Sequence, residues 1–319
     1  MLRGMLLCAG LLAGLLAPAA ASAATRPIVT TGGAANVGID VATLTGGVDA
    51  GGAQTTYFFQ YGLTSAYGAN TASTPIGNGT TRRPVALPVG ALAPATTYHY
   101  RLVATNAKGT TKGKDRVFRT RRAPLGVTLA ANPNPIAPGG ATTLAGTLSG
   151  TGNANRQVQL LANPFPYTQG FLPAGNVVVT DAAGNFAVNV LGVALNTQFQ
   201  VRMEARPEVV SPIAVLNVAV QVGTRTSKRR RSYGARVRFY GTIRPVRNGA
   251  TVYVQRKLKD GTWFTRGRTA ARARDGVSSE YSTRVRVRRS GTFRVLVETA
   301  GDLVSNTGRE VSITVRRRR

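Results

Sequence analysis

Arg284, Arg286 and Arg288 stand two residues apart in RVRVRRSGTFRVLV, residues 284–297, alternating with Val285 and Val287. In a strand, that period sends the arginines to one face and the valines to the other. A row of guanidinium groups suits one kind of chemistry, because each planar fork can hold a phosphate or carboxylate through two parallel hydrogen bonds. The pattern recurs at Arg236 and Arg238, which alternate with Val237 and Phe239. Two basic, flexible-looking runs bracket these strands: Lys228 with Arg229, Arg230 and Arg231, and the terminal Arg316, Arg317, Arg318 and Arg319. Together these arginines form the candidate polyanion-binding set.

Other chemistries find few residues to work with. The chain has one His and one Cys, and Cys8 lies in the N-terminal apolar run. A Ser-His-Asp triad, a thiolate zinc site and a disulfide framework therefore lack their parts. His99 sits in TYHYRL, on the strand face opposite Tyr98 and Tyr100. The 12 acidic residues are scattered, with no close carboxylate pair for glycoside hydrolysis and no oxygen-rich calcium loop. Asp275 and Glu280, in ARDGVSSEY, lie in a turn sequence. A non-enzymatic protein without catalytic, cofactor or metal residues is expected.

The charge is unevenly distributed. Residues 25–122 carry 11 basic and 3 acidic side chains, residues 123–220 carry 3 of each, and residues 221–319 carry 26 basic against 6 acidic, a net +20. Such a density creates a potential of several kT and repels itself unless an anionic partner offsets it. A solvated cationic surface with no partner is the plain alternative. Regulatory nucleic-acid binding is not expected, since no helix is available to enter a groove. Tyr240, Tyr253, Trp263 and Phe264 could stack on bases, but Trp263, beside the Asp260-Gly261 turn, suits core or hairpin-flanking packing.

The elements that must position these residues are strands. Runs of strand period, bounded by Gly, Pro, Asn and Asp, recur along the whole chain without a stretch of helical period, which predicts an all-β protein of tandem sandwiches. Residues 26–120 include Leu92, Pro94, Thr96, Tyr98, Tyr100, Arg101, Ala104 and Asn106, spaced L-x-P-x-T-x-Y-x-Y-R-x-x-A-x-N, and Tyr57, Phe59, Tyr61 and Gly62 as Y-x-F-x-Y-G. On these residues the segment resembles the fibronectin type III family. The resemblance implies a seven-stranded sandwich with Tyr98 in the tyrosine-corner position. It also implies that Tyr57, Phe59 and Tyr61 belong to a core-forming strand rather than an exposed carbohydrate platform.

The rest of the chain repeats itself. LAGTLSGTGNANRQVQLLA (144–162) parallels FYGTIRPVRNGATVYVQRK (239–257), aligning Gly146 with Gly241. GNFAVNVLGVALNTQFQVRMEA (184–205) parallels SEYSTRVRVRRSGTFRVLVETA (279–300), aligning Phe199 with Phe293. Both copies resemble bacterial immunoglobulin-like modules. The organisation expected is a signal peptide over 1–24, a fibronectin type III-like domain over 25–122, an immunoglobulin-like domain over 123–220 and a basic immunoglobulin-like domain over 221–319, strung with limited bending. In this frame, residues 284–297 are read as a β-hairpin turning at Ser290-Gly291, with an uncharged counterpart in the second module.

At the N-terminus, Arg3, an apolar run, Pro18 and Ala21-Ser22-Ala23 have the layout of a secretory signal. An uncleaved membrane anchor is the alternative, and no later segment is apolar enough to span a membrane. The expected role is adhesion or attachment at a cell surface or matrix, the third module binding an anionic cell-wall or extracellular polymer. The alternative is a carbohydrate-binding or spacer component of a secreted polysaccharide-processing system.

Overall fold

The structure is a computed structural model that describes residues 23–205 and 208–316. All but the last two residues of the expected signal segment lie outside them, as do Arg317, Arg318 and Arg319. Every regular element among the described residues is a β-strand, and none of them is a helix long and apolar enough to cross a membrane. Contacts divide the chain into two compact units, ending at Ala123 and beginning at Pro124.

The first unit contains β1 (Ile28–Thr31), β2 (Ala42–Asp49), β3 (Thr55–Gly62), β4 (Gly68–Asn70), β5 (Thr74–Gly77), β6 (Arg83–Val89), β7 (Thr97–Asn106), β8 (Gly109–Lys112) and β9 (Arg116–Arg119). One sheet has the order β1-β2-β6. In the other, β3 pairs with β7, β4 and β5 line the free side of β3, and β8 and β9 line the free side of β7. Taken as interrupted edge strands, these pairs reduce the unit to a three-on-four sandwich, the seven strands that the resemblance implies. The sheets close on Leu44, Phe59, Tyr100 and Leu102, all fully buried. Tyr57 is also buried, so this aromatic run packs the core and presents no platform for a sugar. Tyr98 closes a corner: its hydroxyl accepts a hydrogen bond from the Ala93 N–H at 2.8 Å.

The second unit holds two sandwiches of one design. The first has β10 (Gly126–Val127), β11 (Ala130–Asn132), β12 (Gly140–Ser149), β13 (Gln157–Pro164), β14 (Leu172–Pro173), β15 (Val178–Val179), β16 (Asn185–Val193), β17 (Thr197–Met203), β18 (Val209–Val210) and β19 (Ala214–Leu216). The other has β20 (Gln221–Val222), β21 (Arg225–Thr226), β22 (Arg230–Ser232), β23 (Arg236–Arg244), β24 (Thr251–Lys257), β25 (Trp263–Ala270), β26 (Arg272–Ala273), β27 (Ser279–Arg286), β28 (Gly291–Val297), β29 (Asn306–Thr307) and β30 (Val311–Arg316). The central pairings match: β12 with β16 corresponds to β23 with β27, and β13 with β17 to β24 with β28. Register matches too. Gly146 faces Phe186 as Gly241 faces Tyr281, and Leu160 faces Val201 as Val254 faces Val295.

Both glycines are required by close approach of the neighbouring backbone. A Cβ on Gly146 would lie 2.0 Å from the Thr128 carbonyl oxygen, and one on Gly241 would lie 1.8 Å from that of Gly223.

The two sandwiches of this unit are not loosely strung beads. One continuous apolar cluster runs from Leu144 and Phe199 through Leu216, Val218, Val220 and Leu303 to Phe239 and Phe293. The connecting strip pairs both ways, Val218 with Ile136 and Ala219 with Val304. Buried Asn196 clamps the junction: its backbone N–H donates to the Asp302 carbonyl, its Nδ2 donates to the Gly301 carbonyl, and its Oδ1 accepts from the Val218 N–H.

Residues 284–297 are not a hairpin. β27 pairs with β23 and β26, while β28 pairs with β24, β29 and β30, so the chain crosses from one sheet to the other between Arg286 and Gly291. The counterpart strands β16 and β17 are divided between sheets in the same way. Alternation specifies which side chains face inward and leaves the partner strand open. Val285, Val287, Phe293 and Val295 all reach the core, as they would in either arrangement.

Candidate functional site

The strand period places the predicted arginines where alternation requires. Val237, Phe239 and Val285 are buried, whereas Arg236, Arg238, Arg284 and Arg286 are exposed. The register of β23 and β27 then sets Arg236 directly opposite Arg286 and Arg238 directly opposite Arg284. Like charges facing each other across a strand pair are destabilising. Arg225, on the adjacent β21, stands opposite Tyr240 and extends the same basic face. Arg238 is fixed by its neighbours: its Nε donates to Ser282 Oγ at 2.8 Å, and its guanidinium lies 5.0 Å from the Tyr240 ring centre. Glu280 sits farther along β27, opposite Thr242 and Arg272.

The inward side of this sheet differs from its twin at polar points: buried Thr142 of the earlier copy stands where this one has Val237. Where the earlier sandwich has Phe186, this one has Tyr281, whose hydroxyl donates to the Gly223 carbonyl at 2.8 Å. Burial pushes its pKa up to about 12, with a hydrogen bond to Thr224 opposing.

The other sheet also presents cations, interleaved with aromatic rings. Trp263 is on the hairpin joining β24 to β25, where Lys257 faces it in register. It lies outside the core and under Arg294, whose guanidinium is 4.2 Å from the ring centre. Arg294 is held by Gln255 Oε1 at 2.8 Å. Arg268 and Arg266 similarly approach the rings of Tyr253 and Phe264. Cation–π contact anchors these guanidiniums on the surface of the sheet.

The basic run at 228–231 differs from the free arm that composition suggests. Arg230–Ser232 forms β22, paired in parallel with β30, and the Arg229 carbonyl accepts from the Thr314 N–H at 2.8 Å. Arg229 and Arg230 remain exposed. Arg231 is half-buried beside Val315, with its Nε lacking a hydrogen-bond partner among the described residues. Arg316 ends β30 opposite Ser232. Arg288 lies exposed in the crossing from β27 to β28.

Sequence reasoning passed over Arg225, Arg256, Arg266 and Arg289. The cross-strand neighbourhood of Arg225 was not legible without register. Arg256 continues the inward alternation of Val252 and Val254, a signal present in the sequence and unused.

The lone histidine has acquired partners. His99 Nδ1 lies 2.8 Å from Asp115 Oδ2, and the Tyr67 hydroxyl donates to Asp115 Oδ1 at 2.9 Å. Desolvation raises the Asp115 pKa, but hydrogen bonds from His99 and Tyr67 outweigh it and hold the carboxyl below its ordinary value. No cluster of three or more His, Cys, Asp or Glu residues that could hold a metal exists among the described residues. Asp275 serves as a turn cap, accepting from the N–H groups of Val277 and Ser278.

Neither a protein-family model nor a curated protein matches the chain. Solved structures do. A run of domains from titin is 15% identical, covering 92% of this chain and 100% of that one at a TM-score of 0.37. The FN1-FN3 domains of chicken CNTN1 are 16% identical over 90% of this chain and 99% of that one, at a TM-score of 0.29. A tetra-tandem repeat from the extending region of a large adhesion protein is 16% identical over 91% and 74%, also at 0.29. Similarity this distant says nothing about ligands. On the strand pairing itself, this chain is an all-β protein of tandem sandwiches, the last of them faced with arginine.

Proposed function

We propose that the protein is a secreted, non-enzymatic attachment or spacer protein, held to an anionic extracellular polymer by the last sandwich. The observation that carries this reading is the pairing of Arg236 with Arg286 and Arg238 with Arg284 on one exposed face. The same fold closes without such charge in its twin, where Thr143 and Asn189 occupy the positions equivalent to Arg238 and Arg284. There the Thr143 hydroxyl donates to Asn189 Oδ1 at 2.9 Å. Folding therefore does not require the arginines, and an anionic partner would relieve their repulsion. The sandwiches before it act as the spacer.

The test uses the whole mature chain, because the last two sandwiches share a core. Binding to an immobilised phosphodiester polymer is measured across a salt series. The expected outcome is strong attachment at low salt that weakens as the Debye length falls from about 10 Å at 0.1 M to about 3 Å at 1 M. On a DNA-like polymer, the log–log slope should approach about −0.9 per phosphate contacted. Binding indifferent to salt, or unchanged when Arg236, Arg238 and Arg284 are replaced by Ser, would remove this reading.

A further inference from the structure

Where the chain crosses from β27 to β28, the last sandwich has a cleft of about 380 Å³ lined by Arg256, Arg266, Arg286, Arg288 and Arg289. Val287, Phe293 and Tyr233 complete the lining, and no carboxylate contributes to it. The five arginines arrive by separate routes. Arg286 ends β27, and Arg288 and Arg289 lie in the crossing itself. Arg256 comes from the opposite sheet, at the inward end of β24 and in register with Phe293.

Arg266 is placed by a β-bulge. Val254 pairs with Gly267 and Gln255 with Thr265, which leaves Arg266 as the extra residue of β25. Bulges re-aim the side chains they carry. The neighbouring Gly267 lets β25 approach the other sheet, since a Cβ there would lie 2.7 Å from Val285 Cγ2.

This gathering of like charges is poorly compensated from within. Arg256 Nη2 donates to the Ser290 carbonyl at 3.1 Å, but its Nε is buried and has no hydrogen-bond partner among the described residues. None of the five arginines makes an ion pair among the described residues. A buried donor without a partner is costly, and a bound anion within the cleft would offset both that cost and the repulsion. The shape of the cluster selects among anions. A carboxylate presents two oxygens in one plane, suited to one or two guanidinium forks. A tetrahedral phosphate directs oxygens towards several walls, matching arginines delivered from two sheets and a crossing loop.

We propose that this cleft is a discrete site for a phosphate group. The inference rests on the reading of the last sandwich as a polyanion binder and deepens it by naming the recognised group.

The full-length chain is titrated calorimetrically with pyrophosphate at low salt. It is compared with a cleft variant, Arg266→Ser/Arg288→Ser/Arg289→Ser, and a control variant that loses the same charge from exposed positions of the same sandwich outside both the cleft and the paired-arginine face, Lys259→Ser/Arg272→Ser/Arg309→Ser. Circular dichroism checks folding, and Arg266→Lys, which keeps the charge but loses the fork, serves if the cleft variant does not fold. The expected result is one site per chain, with affinity lost about tenfold or more in the cleft variant and changed about twofold or less in the control variant. Arg266→Lys should weaken binding measurably. No pyrophosphate binding, equal losses in both triple variants, or sulfate binding as tightly as pyrophosphate would overturn the proposal.

Long-chain polyphosphate and phosphatidylcholine vesicles containing phosphatidic acid, run on the same proteins, identify the source of the phosphate as polymer or lipid. Salt-sensitive polyphosphate binding without a pyrophosphate site would overturn the cleft and leave the broader reading standing. Pyrophosphate binding without polyphosphate binding would do the reverse.

Discussion

The last two sandwiches share a strand order, a central register and a continuous core, yet they present different surfaces. At one pair of facing positions, the earlier copy has Thr143 bonded to Asn189, and the later copy has Arg238 facing Arg284. Inside, the earlier copy has Phe186 where the later has Tyr281 bonded to Gly223. The glycine beside each of these rings is common to both. The comparison separates two kinds of position. Residues that let strands approach are retained in type, because backbone clearance leaves no alternative. Outward positions are open to specialisation, and one copy has used them to build a cationic face.

If that division is correct, the largest effects should come from the shared clearance positions. Gly146→Ala and Gly241→Ala each force a methyl group onto a backbone carbonyl, and each should destabilise the chain by about 3 kcal/mol, the upper part of the usual range for overpacking. Thermal or denaturant unfolding reads this out. A large loss in one copy and none in the other would break the equivalence of the two sandwiches.

Next is a point where the cores differ. Tyr281→Phe leaves the Gly223 carbonyl without its donor and should cost about 1–2 kcal/mol. The pH dependence has a definite sign. Burial holds the folded Tyr281 phenol at a pKa of about 12, above its ordinary value of 10.0, so folding favours the neutral phenol. Its contribution is fully present below pH 10 and is lost as pH rises towards 12. Unfolding scans across that window should show a stability loss in the wild type that is reduced in Tyr281→Phe.

The first unit supplies a calibration for a single hydroxyl. Tyr98→Phe removes the acceptor of the Ala93 N–H and should cost about 1 kcal/mol. A melt of the chain showing no loss would remove the corner assignment.

The smallest stability effect belongs to the surface exchange. Transplanting the neutral pair as Arg238→Thr/Arg284→Asn should leave the fold intact and raise stability by about 0.5 kcal/mol at low salt, since facing like charges are removed. The gain should shrink as salt is added. The same exchange should flatten the salt dependence of polyanion binding by about two phosphate contacts. A loss of stability would mean that Arg238, through Ser282 and Tyr240, contributes more to the sheet than to any ligand.

Much of this molecule could be read from its residues. Alternation alone identified the inward valines and phenylalanines and the outward arginines, because side-chain direction in a strand depends only on parity along the chain. The repeat was legible because Gly146 and Gly241 must be glycine, and Phe199 and Phe293 fill equivalent core positions. The fibronectin type III resemblance implied a corner at Tyr98, and the charge count showed which segment was basic. What only the tertiary structure decided was which strand lies beside which. Parity is the same for a hairpin and for a crossing between sheets, so residues 284–297 could be read as the first while folding as the second. That choice is made by the whole sandwich, through the burial of two facing sheets and the pairing of strands distant in sequence. It brings Arg256 and Arg266 from β24 and β25 to Arg286, Arg288 and Arg289, a juxtaposition that exists only once both sheets have closed.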